Sequence, residues 1–273
     1  LDEQVWIGLA VKLLATAAIV LIAAKVVERS SAFLGAMVAT LPISAGPAYV
    51  LLAMEHDDAF IAASSLVSLM INTGASAFMT SYAFMAQRFG AILSTAVAML
   101  CWLAVAVMMV NVTLGLPTTM AVNFSCAILG MLATRHLVVP GRAKVAAQPQ
   151  WWDIPFRALV VITLVAGVLV AARIAGPKAA GIGALVPVVL ASITLILHPR
   201  IGGPATAEVM INCFTGMIGI ASGLAVVHLT AIPFGAPIAL ALGLSTCIVW
   251  NSLLILFRQM RAGRLTRSRP AGA

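Results

Sequence analysis

The chain has 273 residues, of which 62% are hydrophobic and 9% charged, with a mean hydropathy of +1.10 and a formal net charge of +8. No soluble domain can bury that share of apolar surface, so a water-soluble enzyme or binding module is excluded and a lipid bilayer is the expected solvent. The four cysteines, Cys101, Cys126, Cys213 and Cys247, all lie in apolar runs without a CxxC pair, so neither a disulfide framework nor a zinc site is predicted.

A membrane span needs about 20 apolar residues. Runs of that kind fall at roughly 5–27, 33–54, 59–86, 90–111, 117–139, 154–175, 179–198, 205–228 and 236–258. They predict an all-α integral membrane protein of nine transmembrane helices, because irregular backbone cannot face lipid and no alternating strand pattern is present. The first run is too long for a signal-peptide core and lacks a basic leader, so it reads as a span. Span two carries Thr40-Leu41-Pro42-Ile43-Ser44-Ala45-Gly46-Pro47, which no regular helix accommodates; the stretch either lines a cavity or makes a kink. Glu55, His56, Asp57 and Asp58 follow as an acidic loop, from which a metal site could also be drawn. Trp6, Trp151 and Trp152 sit where spans begin and read as interface anchors.

Charge placement sets the topology. With the N-terminus outside, the inner segments hold thirteen of the sixteen basic residues: Lys25, Arg29, Arg88, Arg135, Arg142, Lys144, Arg157, Arg200 and the five arginines from Arg258 to Arg269. Outside are Arg173 and Lys178, with Asp2, Glu3, Glu55, Asp57 and Asp58. The positive-inside rule therefore predicts an N-out, C-in protein, with a bacterial inner membrane as the expected setting. The basic tail is expected to anchor at the lipid surface rather than bind nucleic acid. Lys12 and Arg157, near the starts of spans one and six, are expected to snorkel, with anion binding as the alternative.

The two halves share ordered landmarks. Trp6 and Trp151, Lys12 and Arg157, Pro42 and Pro187, and Phe89-Gly90-Ala91 and Phe234-Gly235-Ala236 all pair at one offset, 145 (151−6, 157−12, 187−42, 234−89). Met70-Ile71-Asn72 recurs as Met210-Ile211-Asn212 at an offset of 140 (212−72), which predicts a connecting loop of different length in the two halves. Spans one to four thus match six to nine, and span five between them turns the second copy upside down. The expected organisation is one membrane domain: a first repeat at 1–111, a linker helix and cytoplasmic loop at 112–150, an inverted second repeat at 151–258 and a basic tail at 259–273.

Polar residues interrupt two of these spans. Span three holds Asn72-Thr73-Gly74-Ala75-Ser76 and span eight holds Asn212-Cys213-Phe214-Thr215-Gly216. Glycine relaxes backbone, and a hydroxyl or amide can satisfy carbonyls freed by unwinding, so both spans are predicted to be interrupted helices. The expected substrate- or ion-binding residues are Asn72, Thr73, Ser76, Asn212, Thr215, Glu208 and Ser44; packing by small residues with interhelical hydrogen bonds is the alternative. Glu208 lies four residues before Asn212 and is matched by Ser68 at the same offset. It is either a coupling carboxylate or a solvated cap near the start of its helix.

With these repeats and interruptions, the chain resembles the inverted-repeat secondary transporters whose architecture is shared by bile acid sodium symporters and sodium/proton antiporters. The resemblance covers the whole chain and is architectural. It implies a five-plus-five inverted repeat lacking the first helix, with the interrupted helices crossing at the midplane. The symporters' sodium-site signatures are absent from this sequence, so neither substrate nor ion is implied.

The expected function is ion-coupled transport of a small organic or anionic solute, driven by sodium or protons, without a resident cofactor or metal. Membrane lipid and a small-molecule substrate are the expected partners, and a homodimer is left open. A non-catalytic membrane subunit or scaffold, and an intramembrane enzyme, are the alternatives. No HExxH, GxSxG or P-loop motif is present.

Overall fold

The structure, a computed structural model, describes residues 36–37, 40–42, 45–138, 167, 170 and 173–267, with side chains described to residue 260. Span one, most of span six, Ser44, Lys12, Arg157 and the tryptophan anchors of the sequence reading lie outside the described residues.

Every described element is helical: α1 (Ala45–Glu55), α2 (Asp58–Met85), α3 (Ala91–Val110), α4 (Leu116–Thr134, continued by a 3₁₀ turn at Arg135–Leu137), α5 (173–184), α6 (Val188–Ile201), α7 (Gly203–Phe234) and α8 (Ala236–Arg267). Among the described residues, six stretches are long and apolar enough to cross a membrane: Asp58–Met85, Ala91–Val110, Leu116–Leu137, Arg173–Ile201, Gly203–Phe234 and Ala236–Met260. They match predicted spans three, four, five, seven, eight and nine. Leu100, Leu103 and Val107 on α3, Leu129 and Leu132 on α4, and Ile248 and Leu253 on α8 are exposed, as lipid-facing side chains are. Together these features describe a multi-pass helical membrane protein.

The centre of the bundle is the pair α2 and α7, which pack along their lengths. They run antiparallel, and both ends are pinned. Gly203 opens α7 directly against the Ala86 carbonyl at the end of α2; a Cβ there would overlap that oxygen. At the other end, Asp58 opens α2 and its carboxylate accepts the Ala236 N–H at 2.6 Å, capping α8 just after α7. His228 of α7 adds a 2.8 Å contact from Nδ1 to the Ala62 carbonyl. Gly202 and Gly235, at φ +85° and +83°, make the one-residue turns that join α6 to α7 and α7 to α8, a conformation that favours glycine. Phe78, Tyr82, Met210 and Phe214, all with essentially no exposure, fill the seam between α2, α7 and their neighbours.

Two expectations are corrected. Spans three and eight are not interrupted: α2 runs unbroken through Asn72–Ser76 and α7 through Asn212–Gly216. Several side chains along the two helices return to their own backbone. Thr80 Oγ1 donates to the Ser76 carbonyl, Asn212 Nδ2 to the Glu208 carbonyl and Thr215 Oγ1 to the Asn212 carbonyl. The glycines admit neighbours rather than loosen the backbone: Gly74 lies under the Trp102 indole and Gly216 against Thr40. The second correction concerns Met-Ile-Asn. The first residues of α2 and α7 differ by 145 in number (203−58), as do those of α3 and α8 (236−91). No loop intervenes between the start of either helix and its asparagine. Asn72 and Asn212 are therefore five positions out of register, about 7.5 Å along a helix and about 140° around it. The pairing of Glu208 with Ser68 fails for the same reason. Gly74 and Gly219 are in register with the helix starts, and each receives the indole of a tryptophan from the next helix, Trp102 or Trp250.

Candidate functional site: two capped helix breaks

The backbone breaks lie one span earlier than the interruptions expected in spans three and eight: at Pro42, within the stretch of span two that no regular helix accommodates, and at its counterpart Pro187 in span seven. In span seven the ladder stops between α5 and α6. The Leu185 N–H bonds to the Ile182 carbonyl and the Val186 N–H to the Gly183 carbonyl, both three residues back, and Pro187 has no N–H to give. The Gly181 carbonyl thereby loses its helical partner, Leu185. Ser68 of α2 replaces it, donating from Oγ at 2.8 Å. The one hydroxyl proton of Ser68 is used in that bond, so the 2.7 Å contact between Ser68 Oγ and Tyr49 is a bond donated by the Tyr49 hydroxyl. The relay runs Tyr49 to Ser68 to Gly181 and joins α1, α2 and α5, with both side chains buried. Gly181 must be glycine, since a Cβ would sit 2.5 Å from the Ser64 carbonyl.

In span two, residues 36–37 are helical, Thr40 lies in a turn, and Leu41 and Pro42 are non-helical. The Met37 carbonyl is left without a helical partner. Asn251 of α8 supplies one, donating from Nδ2 at 2.9 Å, and the Thr40 hydroxyl also reaches it at 3.0 Å. Thr40 Oγ1 is 3.0 Å from the Ala36 carbonyl as well. Thr40 is fully buried and Asn251 is 5% exposed, yet Asn251 Oδ1 has no hydrogen-bond partner among the described residues. The two breaks thus share one design. A proline ends a helix, a carbonyl is freed, and one side chain from another helix caps it.

The other expected site residues are dispersed. Asn72 Nδ2 donates at 2.9 Å to Asn123 Oδ1 of α4, and Asn123 Nδ2 donates on to the Leu69 and Thr119 carbonyls. Asn72 Oδ1 and Thr73 Oγ1 are buried without a partner among the described residues, and Ser76 is buried on the same helix. Asn212 and Thr215 are half-buried on α7, bonded to their own helix as above, and among the described residues no hydrogen bond joins Asn72 to Asn212. The Thr215 carbonyl accepts the Trp250 indole N–H at 2.8 Å. Glu208 lies in the second turn of α7, half-buried, with Oε2 unpartnered among the described residues and Arg258 of α8 within electrostatic reach. That places it near one end of the bundle rather than at mid-depth.

Each member of the acidic loop has a structural task. Glu55 accepts two bonds from the Arg173 guanidinium at 3.0 and 3.1 Å, Asp57 caps α2 through the Phe60 N–H, and Asp58 caps α8. His56 stacks on Phe60 at 3.8 Å. Among the described residues no group of three His, Cys, Asp or Glu is placed to hold a metal.

Sequence reasoning passed over Asn251, Asn123 and Tyr49. Asn123 and Asn251 stand alone as amides in apolar runs, and that was the one available signal. Comparison with protein families, curated proteins and solved structures gives no match, so the site is read from its own geometry.

Proposed function

We propose that the chain is a secondary active transporter that moves a small organic or anionic solute by alternating access, coupled to sodium or protons. The observation that carries this reading is the pair of helix breaks at Pro42 and Pro187, which occupy equivalent positions in the two halves and are each held by a side-chain cap from another helix. Discontinuous helices with freed carbonyls are how membrane transporters present backbone to ions and solutes, and their breaks come in pairs when the fold is an inverted repeat. The antiparallel α2 and α7, whose starts are separated by the same offset as the two prolines, support that repeat. In this reading the nine-span, N-out, C-in topology also holds, with α2 and α7 as the rigid core against which the broken helices move. A cap made by one hydrogen bond is worth about 1 kcal/mol, so it can be exchanged for a ligand contact at small cost.

The test is a panel of small organic anions and zwitterions, scored by thermal stabilisation of the purified protein with sodium and at two pH values. Ligands that raise the midpoint are then followed in liposomes under an imposed sodium or proton gradient. Accumulation driven by either gradient is the expected result. A stabilising ligand that is never accumulated by the protein alone overturns the transporter reading and favours the membrane-subunit reading.

A further inference from the structure

We infer that the break at Thr40–Pro42 is a binding site for a monovalent cation, formed by the Met37 carbonyl, Thr40 Oγ1 and Asn251 Oδ1. Three observations converge on it. First, the Met37 carbonyl is released from its helix at a point where the surrounding residues are buried, so its lone pairs cannot be met by bulk water. Second, Asn251 is half-satisfied as it stands. Its Nδ2 faces two oxygens, Met37 O at 2.9 Å and Thr40 Oγ1 at 3.5 Å, while its own Oδ1 is buried and unpartnered among the described residues. Flipping the amide end for end exchanges Nδ2 for Oδ1 with no change of shape, so the alternative orientation is sterically free. The flipped amide would set three oxygens face to face, which is tolerable only around a cation. Third, Thr40 is already arranged for this. Its hydroxyl proton can stay on the Ala36 carbonyl at 3.0 Å, leaving a lone pair directed at the shared space.

The donor set decides the charge of the ion. All three ligands are neutral, and no carboxylate bonds to Thr40, Asn251 or Met37 among the described residues. Buried divalent cations require carboxylates to offset their charge, whereas rings of carbonyl and hydroxyl dipoles suit an alkali cation. Water completes the coordination shell. In the cation-free state the N–H groups of Asn251 stand in for the ion, turning partial positive charge toward the Met37 carbonyl. Gly216 keeps the site open, because a Cβ there would overlap Thr40 Oγ1. The same break is part of the transporter reading above, and the site would supply its coupling ion, but the binding itself is read without transport.

The experiment uses the full-length protein in detergent. Its thermal midpoint is measured against lithium, sodium and potassium chloride at constant ionic strength, with N-methylglucamine chloride as the replacement salt. The wild type should show a saturable rise with at least one of the three cations. Thr40→Val keeps the shape and removes one ligand, so the half-saturating concentration should rise by about tenfold or more. Thr40→Ser keeps the oxygen and should retain the response. Asn251→Asp should tighten it, and if that variant does not fold, the two Thr40 variants decide. A wild-type midpoint indifferent to all three cations overturns the inference. So does a cation response that survives Thr40→Val unchanged, since the ion would then bind elsewhere. Either failure leaves the solute panel in liposomes able to succeed, so the two readings fall separately.

Discussion

Ser68 Oγ lies 2.8 Å from the carbonyl of Gly181, 113 residues further along the chain, and closes the hydrogen bond that the break before Pro187 opens. Ser68 is itself held by the Tyr49 hydroxyl at 2.7 Å, so three helices depend on one serine. Ser68→Ala should strand two buried polar groups and destabilise the protein by about 1–3 kcal/mol, whereas Tyr49→Phe removes the outer donor alone and should cost about 1 kcal/mol or less. The double variant should be less destabilised than the sum of the singles. Reversible unfolding in mixed micelles measures all three, and strict additivity would mean that the three groups do not act as a relay.

The glycines make a steric prediction with an internal control. Gly216→Ala drives a methyl group into Thr40, and Gly181→Ala drives one into the Ser64 carbonyl and Val67. Both should lose about 1–3 kcal/mol, as overpacked sites do. Among the described residues nothing lies within 4 Å of where a Cβ of Gly46 in α1 would go, so Gly46→Ala should be neutral or stabilising by up to about 1 kcal/mol. If all three substitutions behave alike, close approach of helices is not what these positions require.

Asn72 and Asn212 should part company. Asn72→Ala removes the donor to Asn123 and leaves a buried acceptor, at a cost of about 1–3 kcal/mol. Asn212→Ala removes a half-exposed side chain bonded to its own helix and should change stability by less than about 0.5 kcal/mol. Under the transporter reading both variants abolish accumulation. Loss of transport in Asn212→Ala at unchanged stability identifies a ligand contact; retained transport would assign it to the helix surface.

Glu208→Gln keeps shape and removes charge near the start of α7, where a carboxylate also suits the helix dipole. As a coupling group, its loss should abolish accumulation while solute exchange down a gradient persists. As an ion of the bundle edge beside Arg258, its loss should cost about 1 kcal/mol or less and leave accumulation intact. Its position in the second turn of the helix favours the latter outcome.

The charge-derived topology predicts that single cysteines at His56 and Arg88 label from opposite sides of the membrane. The two positions flank α2, a 28-residue helix. Labelling from the same side would remove α2 from the set of spans and, with it, the N-out assignment.

Composition alone determined the solvent of this protein, because apolar surface in such excess has one stable environment. The length of each apolar run located the six described spans to within about six residues at either end, since a bilayer demands one helix length. The proline pair marked both breaks, because a missing N–H acts through local chain geometry wherever it falls. The Met-Ile-Asn match misled, since three identities between apolar helices carry no register, and register belongs to helix starts such as Asp58 and Gly203. The caps were beyond the sequence for a different reason. Ser68 with Gly181 and Asn251 with Met37 are 113 and 214 residues apart. A freed carbonyl takes whichever donor the packing of distant helices brings within hydrogen-bond reach, and that choice is made in three dimensions, by the close approach that Gly181 and Gly216 permit.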